Sequence, residues 1–310
     1  MPHHLVRGIL KNNHGSISKA ITLIENSQSP PEPFFSDIHK NSFNSVRIGI
    51  TGPPGAGKST LTSSLIEFCL ADGKEVGVIA VDPTSPFTGG ALLGDRVRMN
   101  KYVGDNRVFL RSMGNHCDLG GLSSKVQEIG DVLAASGKDY IFFETVGVGQ
   151  GEHDIINVAD ISIVVLVPES GDEIQLMKAG LIEIADIFVI NKSDREGSNR
   201  IASTLKNILH IFKKQDRREP SVFNTIANKQ EGVLELFNGI EFYLRMIDKE
   251  GLLESRKLER YRKRVFDIIQ NSLETSFWSS GKQKQLIDLT KNIDGTSIDP
   301  HTVAKQLLQG

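Results

Sequence analysis

Short, almost continuously apolar segments alternate with helical patterns over the middle of the chain, between residue 46 and about residue 238. Strands that are apolar on both faces and separated by helices are typical of a parallel sheet covered by helices on both sides. The pattern therefore predicts an α/β fold with a mostly parallel sheet. The predicted strands are residues 46–51, 76–82, 107–112, 140–145, 161–167, 186–191 and 221–227.

A helical pattern precedes this region. Ile17, Ala20, Ile21 and Ile24 recur at the spacing of one helix face, which predicts an amphipathic helix near the N-terminus. The stretch SQSPPEP, residues 27–33, then interrupts the pattern, because proline restricts both itself and the residue before it. We expect an extended connector there.

Beyond residue 239 only helical patterns remain, and one of them carries an apolar stripe beside a basic face. The stripe consists of Leu258, Tyr261, Val265, Ile268, Ile269 and Leu273. Two interpretations stay open: the apolar face packs into the core of the chain, or the helix is an arm that pairs with a second subunit. The three patterns together predict an N-terminal helical extension with a linker (1–45), a nucleotide-binding domain (46–250) and a C-terminal helical region (251–310).

The first predicted strand leads into GPPGAGKS, residues 52–59, which fits the pattern G-x-x-x-x-G-K-[ST] of a P-loop. Glycines there let backbone N–H groups converge on phosphate oxygens, and the helix that follows adds the positive end of its dipole. Lys58 would reach the β- and γ-phosphates, and the Ser59 hydroxyl would bind Mg²⁺. The predicted phosphate-binding residues are Gly52, Pro53, Pro54, Gly55, Ala56, Gly57, Lys58, Ser59 and Thr60.

The base is predicted from NKSD, residues 191–194, which closes another strand with the spacing N-K-x-D. The Asp194 carboxylate can accept from the ring N1–H and the 2-amino group of guanine. Adenine lacks this donor pair, so it would leave the carboxylate unpaired. Asn191 would tie neighbouring loops together, and the stem of Lys192 would pack along the base plane. The motif therefore favours GTP and GDP over adenine nucleotides.

Further polar residues follow the other strands, where ligands of parallel α/β sheets bind. Glu144, at the end of the strand 140–145, takes the place of the acidic residue that serves Mg²⁺, and Asp82 and Asp95 are carboxylates placed to reach the metal or its waters. Gly147 would offer its N–H to the γ-phosphate. Val148 stands where Ras-like enzymes have the glutamine that orients water, so we expect slow intrinsic hydrolysis that a partner accelerates.

Composition excludes several classes of function. The 310 residues carry a formal net charge of −2, without a basic stripe interleaved with aromatics, so no nucleic-acid partner is expected. The longest apolar run, residues 163–167, is far too short to span a membrane. The two cysteines, Cys69 and Cys117, form no disulfide framework and fit a reducing compartment. We expect a cytoplasmic protein without a membrane partner.

Together, several sequence blocks resemble a known family, the methylmalonyl-CoA mutase-associated GTPase chaperones of the bacterial MeaB type, also described as arginine/ornithine transport-system kinases. The resemblance runs from residue 20 to residue 308, nearly the whole chain. The blocks that carry it are GPPGAGKST, AVDPTSPFTGGALLGDRVRM, LGGLS, ETVGVGQ and GDEIQLMKAGLIEIADIFVINKSD.

The resemblance implies a homodimeric, Mg²⁺-dependent GTPase that binds an adenosylcobalamin-dependent acyl-CoA mutase. It would gate the loading of the mutase's cofactor and protect the mutase from inactivation. By motif, Lys58 would hold phosphate, Asp194 would read guanine, and Asp82, Asp95 and Glu144 would serve Mg²⁺ and the switch segments. The C-terminal helices of the family mediate dimerisation, which favours the arm interpretation for residues 251–310.

Two stretches depart from the family pattern. Where the family often has Ser-Ala-Leu near the guanine, this chain has Ile226, Ala227 and Asn228. The Ala227 N–H would still contact the base oxygen, but the serine is lost. The second stretch is NHCDLGG, residues 115–121, where a glycine or a small polar residue usually precedes LGG.

Other functions stay open. A nickel-delivering accessory GTPase would need soft or imidazole ligands, for which His116, Cys117 and His153 are the available set. A kinase that phosphorylates a periplasmic amino-acid transport protein would transfer phosphate to protein rather than release it. A nucleotide-binding scaffold without hydrolysis is less economical, because Ser59 and Glu144 predict an intact Mg²⁺ site.

Overall fold

The protein is represented by a computed structural model. The structure describes residues 2–26, 32–83, 100–102, 104–115, 121–145, 157–170, 181–212, 219–291 and 298–309.

The strands of the described chain form one sheet of seven members in the order β3-β2-β4-β1-β5-β6-β7. Every neighbouring pair is parallel. All seven predicted strands are present, with ends that differ by a few residues at most, so the predicted α/β fold is confirmed. The strands are β1 (Val46–Thr51), β2 (Val76–Pro83), β3 (Val108–Asn115), β4 (Tyr140–Thr145), β5 (Ile161–Leu166), β6 (Ile187–Asn191) and β7 (Ser221–Thr225).

Helices connect the strands and extend the chain at both ends. Short 3₁₀ turns lie at Asn100–Tyr102, Pro168–Ser170 and Ala227–Lys229. The helices are α1 (Pro2–Ile9), α2 (His14–Asn26), α3 (Glu32–His39), α4 (Lys58–Ala71), α5 (Gly121–Ala135), α6 (Leu181–Ile184), α7 (Ser198–Phe212), α8 (Val233–Lys249), α9 (Leu252–Phe277), α10 (Ser280–Leu289) and α11 (Pro300–Gln309).

The inner strands β1, β4, β5 and β6 are buried at almost every position, which explains why they are largely apolar, whereas the edge strand β7 is partly exposed. On one face, Ile48 and Phe142 share a core with buried residues of α4 and α8. On the opposite face, Phe143 packs with α5 and the N-terminal helices, and Phe188 packs with α7. Successive side chains of one strand therefore enter different cores.

The N-terminal helices belong to this core. The predicted amphipathic helix is α2, and its Ile17, Ile21 and Ile24 are fully buried against residues of α5. The predicted connector is wrong at its end, since Glu32 and Pro33 begin α3 instead of continuing an extended segment. Proline fits the first turn of a helix, where its missing N–H has no intrahelical partner to lose.

The chain divides into two compact units, residues 1–260 and 261–310. The division falls within α9, and the three-region organisation predicted above stays a prediction. All six residues of the apolar stripe on α9 are exposed, from 40% for Val265 to 64% for Leu273. The interpretation that this stripe packs into the core of the chain is therefore wrong for the described residues. No described helix is long and apolar enough to cross a membrane.

Candidate nucleotide-binding site

The carboxyl edge of the sheet gathers the predicted site residues that the structure describes. The loop that begins at Gly52 follows β1, Glu144 lies in the neighbouring β4, and Asn191 ends β6. Because all strands are parallel, their carboxyl ends meet on one edge, as the sequence predicts. Three motifs that are far apart in sequence thus share one place.

Two glycines of the loop have no room for a side chain. Gly52 has φ 140°, and a Cβ there would lie 2.0 Å from the carbonyl oxygen of Val165. Gly57 has φ 87°, and its Cβ would lie 2.4 Å from Nδ2 of Asn191. Both positions combine a left-handed backbone with close packing, so other residues would displace the loop.

Lys58 holds the start of the loop. Its Nζ donates to the carbonyl oxygens of Gly52 at 2.8 Å and of Pro53 at 3.0 Å. Lys58 is buried although it carries a charge, which is tolerated because the ammonium group is hydrogen-bonded. The ammonium group therefore lies within the loop that would bind phosphate, and its contact with the phosphates stays a prediction.

The rest of the loop is held from β6. Asn191 Nδ2 donates to the carbonyl oxygen of Ala56 at 2.8 Å, and Lys192 Nζ donates to that of Gly55 at 2.7 Å. In a trans peptide the C=O and the following N–H point in opposite directions. The Gly57 N–H therefore points away from the Asn191 amide.

The Asn191 side chain also contacts the segment after β7. Its Oδ1 accepts from Thr225 Oγ1 at 3.2 Å and from the Ala227 N–H at 3.1 Å. Asn191 is almost fully buried, so these bonds are shielded from water. It joins the phosphate loop to the turn Ala227–Lys229, in agreement with the expectation that it ties neighbouring loops together.

Ala227 itself is held through both of its backbone groups. Its N–H, which the sequence assigns to the base oxygen, donates to Asn191 in this structure, and its contact with the base stays a prediction. Its carbonyl oxygen accepts from Ser64 Oγ at 3.0 Å. Ile226, which precedes it, donates its N–H to the carbonyl oxygen of Glu231 at 2.9 Å. Asn228 lies exposed within the turn itself.

Asp194 lies beyond β6 with its side chain 43% exposed, so it remains accessible to a base. Its Oδ2 is 3.8 Å from Nζ of Lys229. Ser193, the residue before Asp194, is held in place, since both its N–H and its hydroxyl donate to the carbonyl oxygen of Thr225, at 3.1 and 3.0 Å. The N-K-x-D segment is thus attached to the end of β7.

The oxygen atoms beside the loop suit a small hard cation. Glu144 is buried, and its Oε1 accepts from Ser59 Oγ at 2.5 Å. Its Oε2 accepts from Thr62 Oγ1 at 3.3 Å. A hydroxyl and a carboxylate at the end of a phosphate loop are the ligand types that Mg²⁺ prefers, so the residues present fit that metal.

Other predicted residues cannot be placed. Gly147, Asp95 and Val148 lie outside the described residues, as does the Asp82 side chain. The set proposed for nickel, His116, Cys117 and His153, also lies outside them. Within the described ranges, no group of three or more histidine, cysteine, aspartate or glutamate side chains could hold a metal ion.

The structure adds hydroxyl groups that the sequence did not single out. Thr62 contacts Glu144, Ser64 contacts Ala227, and Thr225 contacts Asn191. Serine and threonine are common on helices and at strand ends, so no sequence signal distinguishes these three from others. Only the packing of the loops against α4 and β7 shows their partners.

The fold and this site are those of the P-loop NTPases, in which a glycine-rich loop after a parallel strand binds nucleotide phosphates. The family model of the methylmalonyl-CoA mutase-associated GTPase MeaB matches residues 17–282. The chain belongs to this family.

Individual relatives agree with the family. A putative GTPase of Pyrococcus abyssi is 39% identical over 100% of this chain and 96% of its own length. The mitochondrial methylmalonic aciduria type A homolog of Mus musculus is 28% identical over 98% of this chain and 78% of its own. The crystal structure of an LAO/AO transport system kinase covers 99% of this chain and 96% of its own with 26% identity and a TM-score of 0.71.

A more distant structure shows the fold alone. HypB from Helicobacter pylori, solved in complex with nickel, is 18% identical over 71% of this chain and 94% of its own, with a TM-score of 0.50.

Proposed function

We propose that this protein binds GTP at the carboxyl edge of the sheet, hydrolyses it, and uses the hydrolysis as a timed switch on an adenosylcobalamin-dependent acyl-CoA mutase. The observation that carries the nucleotide part is Asn191. It joins the phosphate loop at Ala56 to the turn at Ala227, and Asp194 follows three residues later. Phosphate binding and base recognition are thereby brought to one site.

Asp194 selects the base in this proposal. Its carboxylate accepts from N1–H and from the 2-amino group of guanine, while adenine presents no such pair of donors. A site built to receive these donors rejects a base that lacks them, because its own polar groups are then left unpaired.

Lys58, Ser59 and Glu144 provide the charge and the oxygen ligands for hydrolysis. Lys58 holds the β- and γ-phosphates, and Ser59 and Glu144 would hold Mg²⁺ together with Asp82 and Asp95. The bound metal would neutralise charge on the phosphate oxygens. Gly147 would contact the γ-phosphate and report its loss. With Val148 in place of a water-orienting glutamine, intrinsic hydrolysis is slow, and the partner accelerates it.

The mutase is proposed from the relatives. The family is described as methylmalonyl-CoA mutase-associated, and the mouse relative is named for methylmalonic aciduria. We propose that GTP hydrolysis gates cofactor loading into such a mutase and protects the loaded enzyme, and that methylmalonyl-CoA mutase itself is the partner.

A homodimer is part of this proposal. The unit 261–310 has large apolar side chains exposed along α9, including Phe266 at 65% and Leu273 at 64%. Leu307 is the buried hydrophobic residue among its described residues. A segment of this size with so little core is not stable unless another surface covers it, and a second copy of the helical arm provides one.

The first experiment measures phosphate release from GTP and from ATP, each with and without an adenosylcobalamin-dependent acyl-CoA mutase. Hydrolysis of GTP only, accelerated by the mutase, supports the proposal. Hydrolysis of GTP that is indifferent to the mutase would retain the GTPase and reject the partner. Equal hydrolysis of ATP would reject the guanine site.

Two variants test the site itself. Lys58→Ala is expected to abolish nucleotide turnover, and normal turnover would refute the assignment of the phosphate-binding loop.

Asp194→Asn is expected to relax discrimination against xanthosine nucleotides, because the amide replaces one of the two acceptors by a donor. Unchanged affinities for GTP and XTP would show that Asp194 does not read the base.

A second candidate function follows from the similar solved structure, which is named as a transport system kinase. A kinase of this class transfers the γ-phosphoryl group to a protein. Incubation with γ-labelled GTP and the candidate transport protein would then yield labelled protein, whereas the proposed GTPase yields free phosphate.

For nickel delivery, metal binding should fall in the Cys117→Ser variant, and unchanged binding would exclude the set that contains Cys117.

A further inference from the structure

We infer that Ser64, on the helix that follows the phosphate loop, is a positioning residue for guanine recognition, because it orients the turn Ala227–Lys229 so that the Asn228 N–H is the donor to the base oxygen O6. The inference rests on the proposed function, since it requires a guanine nucleotide at this site. It assigns the O6 contact to a different N–H from the one that the sequence indicates.

The first argument is the contact itself. Ser64 Oγ lies 3.0 Å from the carbonyl oxygen of Ala227 and 3.1 Å from that of Thr60, one turn earlier in α4. Ser64 and Ala227 are both buried, at 6% and 2% exposure. The hydroxyl has one proton, which these two carbonyl oxygens share, and the bond to Ala227 is the shorter of the two. A hydrogen bond shielded from water in this way holds its partner more firmly than an exposed one.

The second argument is that the Ala227 residue is held on both sides. Its N–H donates to Asn191 Oδ1 at 3.1 Å, and its carbonyl oxygen accepts from Ser64. The N–H of Gln230 also donates to this carbonyl oxygen, at 3.3 Å, and closes the turn. The position of the turn is therefore set jointly by β6 and by α4, the helix that also carries Lys58 and Ser59.

The orientation of the next peptide follows from its planarity. Because the carbonyl oxygen of Ala227 points at Ser64, the Asn228 N–H of the same peptide unit points away from α4. The Ala227 N–H is already used by Asn191. The Asn228 N–H is therefore the donor that this turn presents to an oxygen of the base.

The test compares three nucleotides that differ at positions 1, 2 and 6 of the base. GDP and IDP both carry O6 and N1–H, and IDP lacks the 2-amino group. The diphosphate of 2-aminopurine riboside keeps the 2-amino group and lacks both O6 and N1–H, so it loses one bond to Asp194 in every variant, and only the change of its affinity between variants is compared. Their affinities are measured by competition against a fluorescent GDP analogue for the wild-type protein, Ser64→Ala, Ser64→Thr and Ser63→Ala, with thermal unfolding in the absence of nucleotide as the check on folding.

Ser64→Ala is expected to lower the affinities for GDP and for IDP by the same factor, about 3- to 10-fold, which is the range for one hydrogen bond. The 2-aminopurine nucleotide should be unaffected, because it makes no O6 contact. Ser64→Thr keeps the hydroxyl and should restore GDP binding. Ser63→Ala is the matched control: Ser63 is buried at 7%, and in the described structure its hydroxyl makes no hydrogen bond to the turn.

Unchanged GDP affinity in Ser64→Ala would overturn the inference. Equal weakening of all three nucleotides would also overturn it, since the loss would then lie in phosphate binding or in stability. A wild-type protein that binds ADP as tightly as GDP would overturn the proposed guanine site together with this role of Ser64. Guanine-specific binding with an indifferent Ser64→Ala variant would reject the role of Ser64 alone.

Discussion

Single residues at this site are constrained by backbone geometry as much as by their chemistry. Gly57 has φ 87° and lies against the amide of Asn191, while Lys192 has φ 57° although it is not glycine. Left-handed backbone is unfavourable for residues with a Cβ and persists where surrounding contacts hold it. Lys192 is held by its bond to the Gly55 carbonyl oxygen.

Gly57→Ala tests the close approach at the loop. The new Cβ would lie 2.4 Å from Asn191 Nδ2, so the bond from Asn191 to Ala56 must break. We expect GDP affinity to fall by about 10-fold or more, because strain of about 1–2 kcal/mol adds to the lost bond. Gly73→Ala is the control: its φ is 74°, and nothing lies within 4 Å of its Cβ. It should lose stability with unchanged GDP affinity, and an equal loss of affinity in both variants would contradict the argument.

Gln230 has φ 60° at the end of the turn Ala227–Lys229. Gln230→Gly should raise the free energy of unfolding by about 0.5–1 kcal/mol, since glycine adopts this conformation without strain. Its side chain also donates to Glu67 at the surface, a bond of small net value. Gln230→Ala removes the same bond and keeps the strain, so it should not stabilise. Urea unfolding measures the free energy of unfolding of both variants, and equal values would contradict the claim that the backbone of Gln230 is strained.

Elements are joined at the opposite edge of the sheet by charged side chains that are partly or fully buried. Asp160 and Asp186 precede β5 and β6, and each accepts from a backbone N–H of a neighbouring strand, at Arg47 and Ser162. Both carboxylates also pair with arginines of α9, Asp186 with Arg256 and Asp160 with an arginine one turn later. The first part of α9 is thereby fixed to the ends of two strands.

Arg260→Met tests this attachment. It would remove the ion-pair partner of the Asp160 carboxylate, whose side chain is 0% exposed, and leave it with the Arg47 N–H as a hydrogen-bond donor and the more distant Arg47 charge. We expect a loss of about 3 kcal/mol in the free energy of unfolding, because an unpaired buried charge is strongly destabilising. Adding Asp160→Asn should recover part of the loss, since a neutral amide is cheaper to bury. Lys101→Met is the control: it removes the exposed pair with Glu67 and should cost less than about 1 kcal/mol. Similar losses in both single variants would contradict the burial argument.

The whole molecule combines a well-buried unit with a C-terminal unit of exposed helices. In residues 1–260 the core extends from the N-terminal helices to α8, so the extension predicted for residues 1–45 contributes to the fold of the nucleotide-binding part. In the described part of residues 261–310 most large apolar side chains are exposed, and Leu307 is the exception that is buried. This contrast is the physical basis for the proposed dimer.

The dimer is tested by charge on the exposed stripe. Ile269→Glu combined with Leu273→Glu places two carboxylates on residues that are 54% and 64% exposed. We expect the wild-type protein to sediment as a dimer and this variant as a monomer, because buried unpaired charges disfavour association. Phe242→Glu is the control, a residue of α8 that is 67% exposed and should leave the dimer intact. A monomeric wild-type protein, or a double variant that is still a dimer, would refute dimerisation through the exposed stripe of α9.

Much of the fold was predictable from local patterns. The strands are apolar at successive positions because both faces of the sheet are covered, and the phosphate loop and the N-K-x-D segment have short sequence signatures. Their meeting at one edge follows from parallel strands alone. The sequence by itself therefore determined the α/β class, the loop of residues 52–59 and the choice of guanine as the proposed base.

The tertiary structure decided which groups meet across long stretches of chain. Ser64 and Ala227 are 163 positions apart, and Asn191 and Ala227 are 36 apart, so no local pattern predicts that the Ala227 N–H is used by Asn191. The exposure of the stripe on α9 likewise depends on what packs against the helix, because an apolar face has the same sequence pattern whether a core or a second chain covers it. Local propensity and motif spacing are properties of neighbouring residues, whereas the partner of each hydrogen bond and the cover of each apolar face depend on how the elements pack.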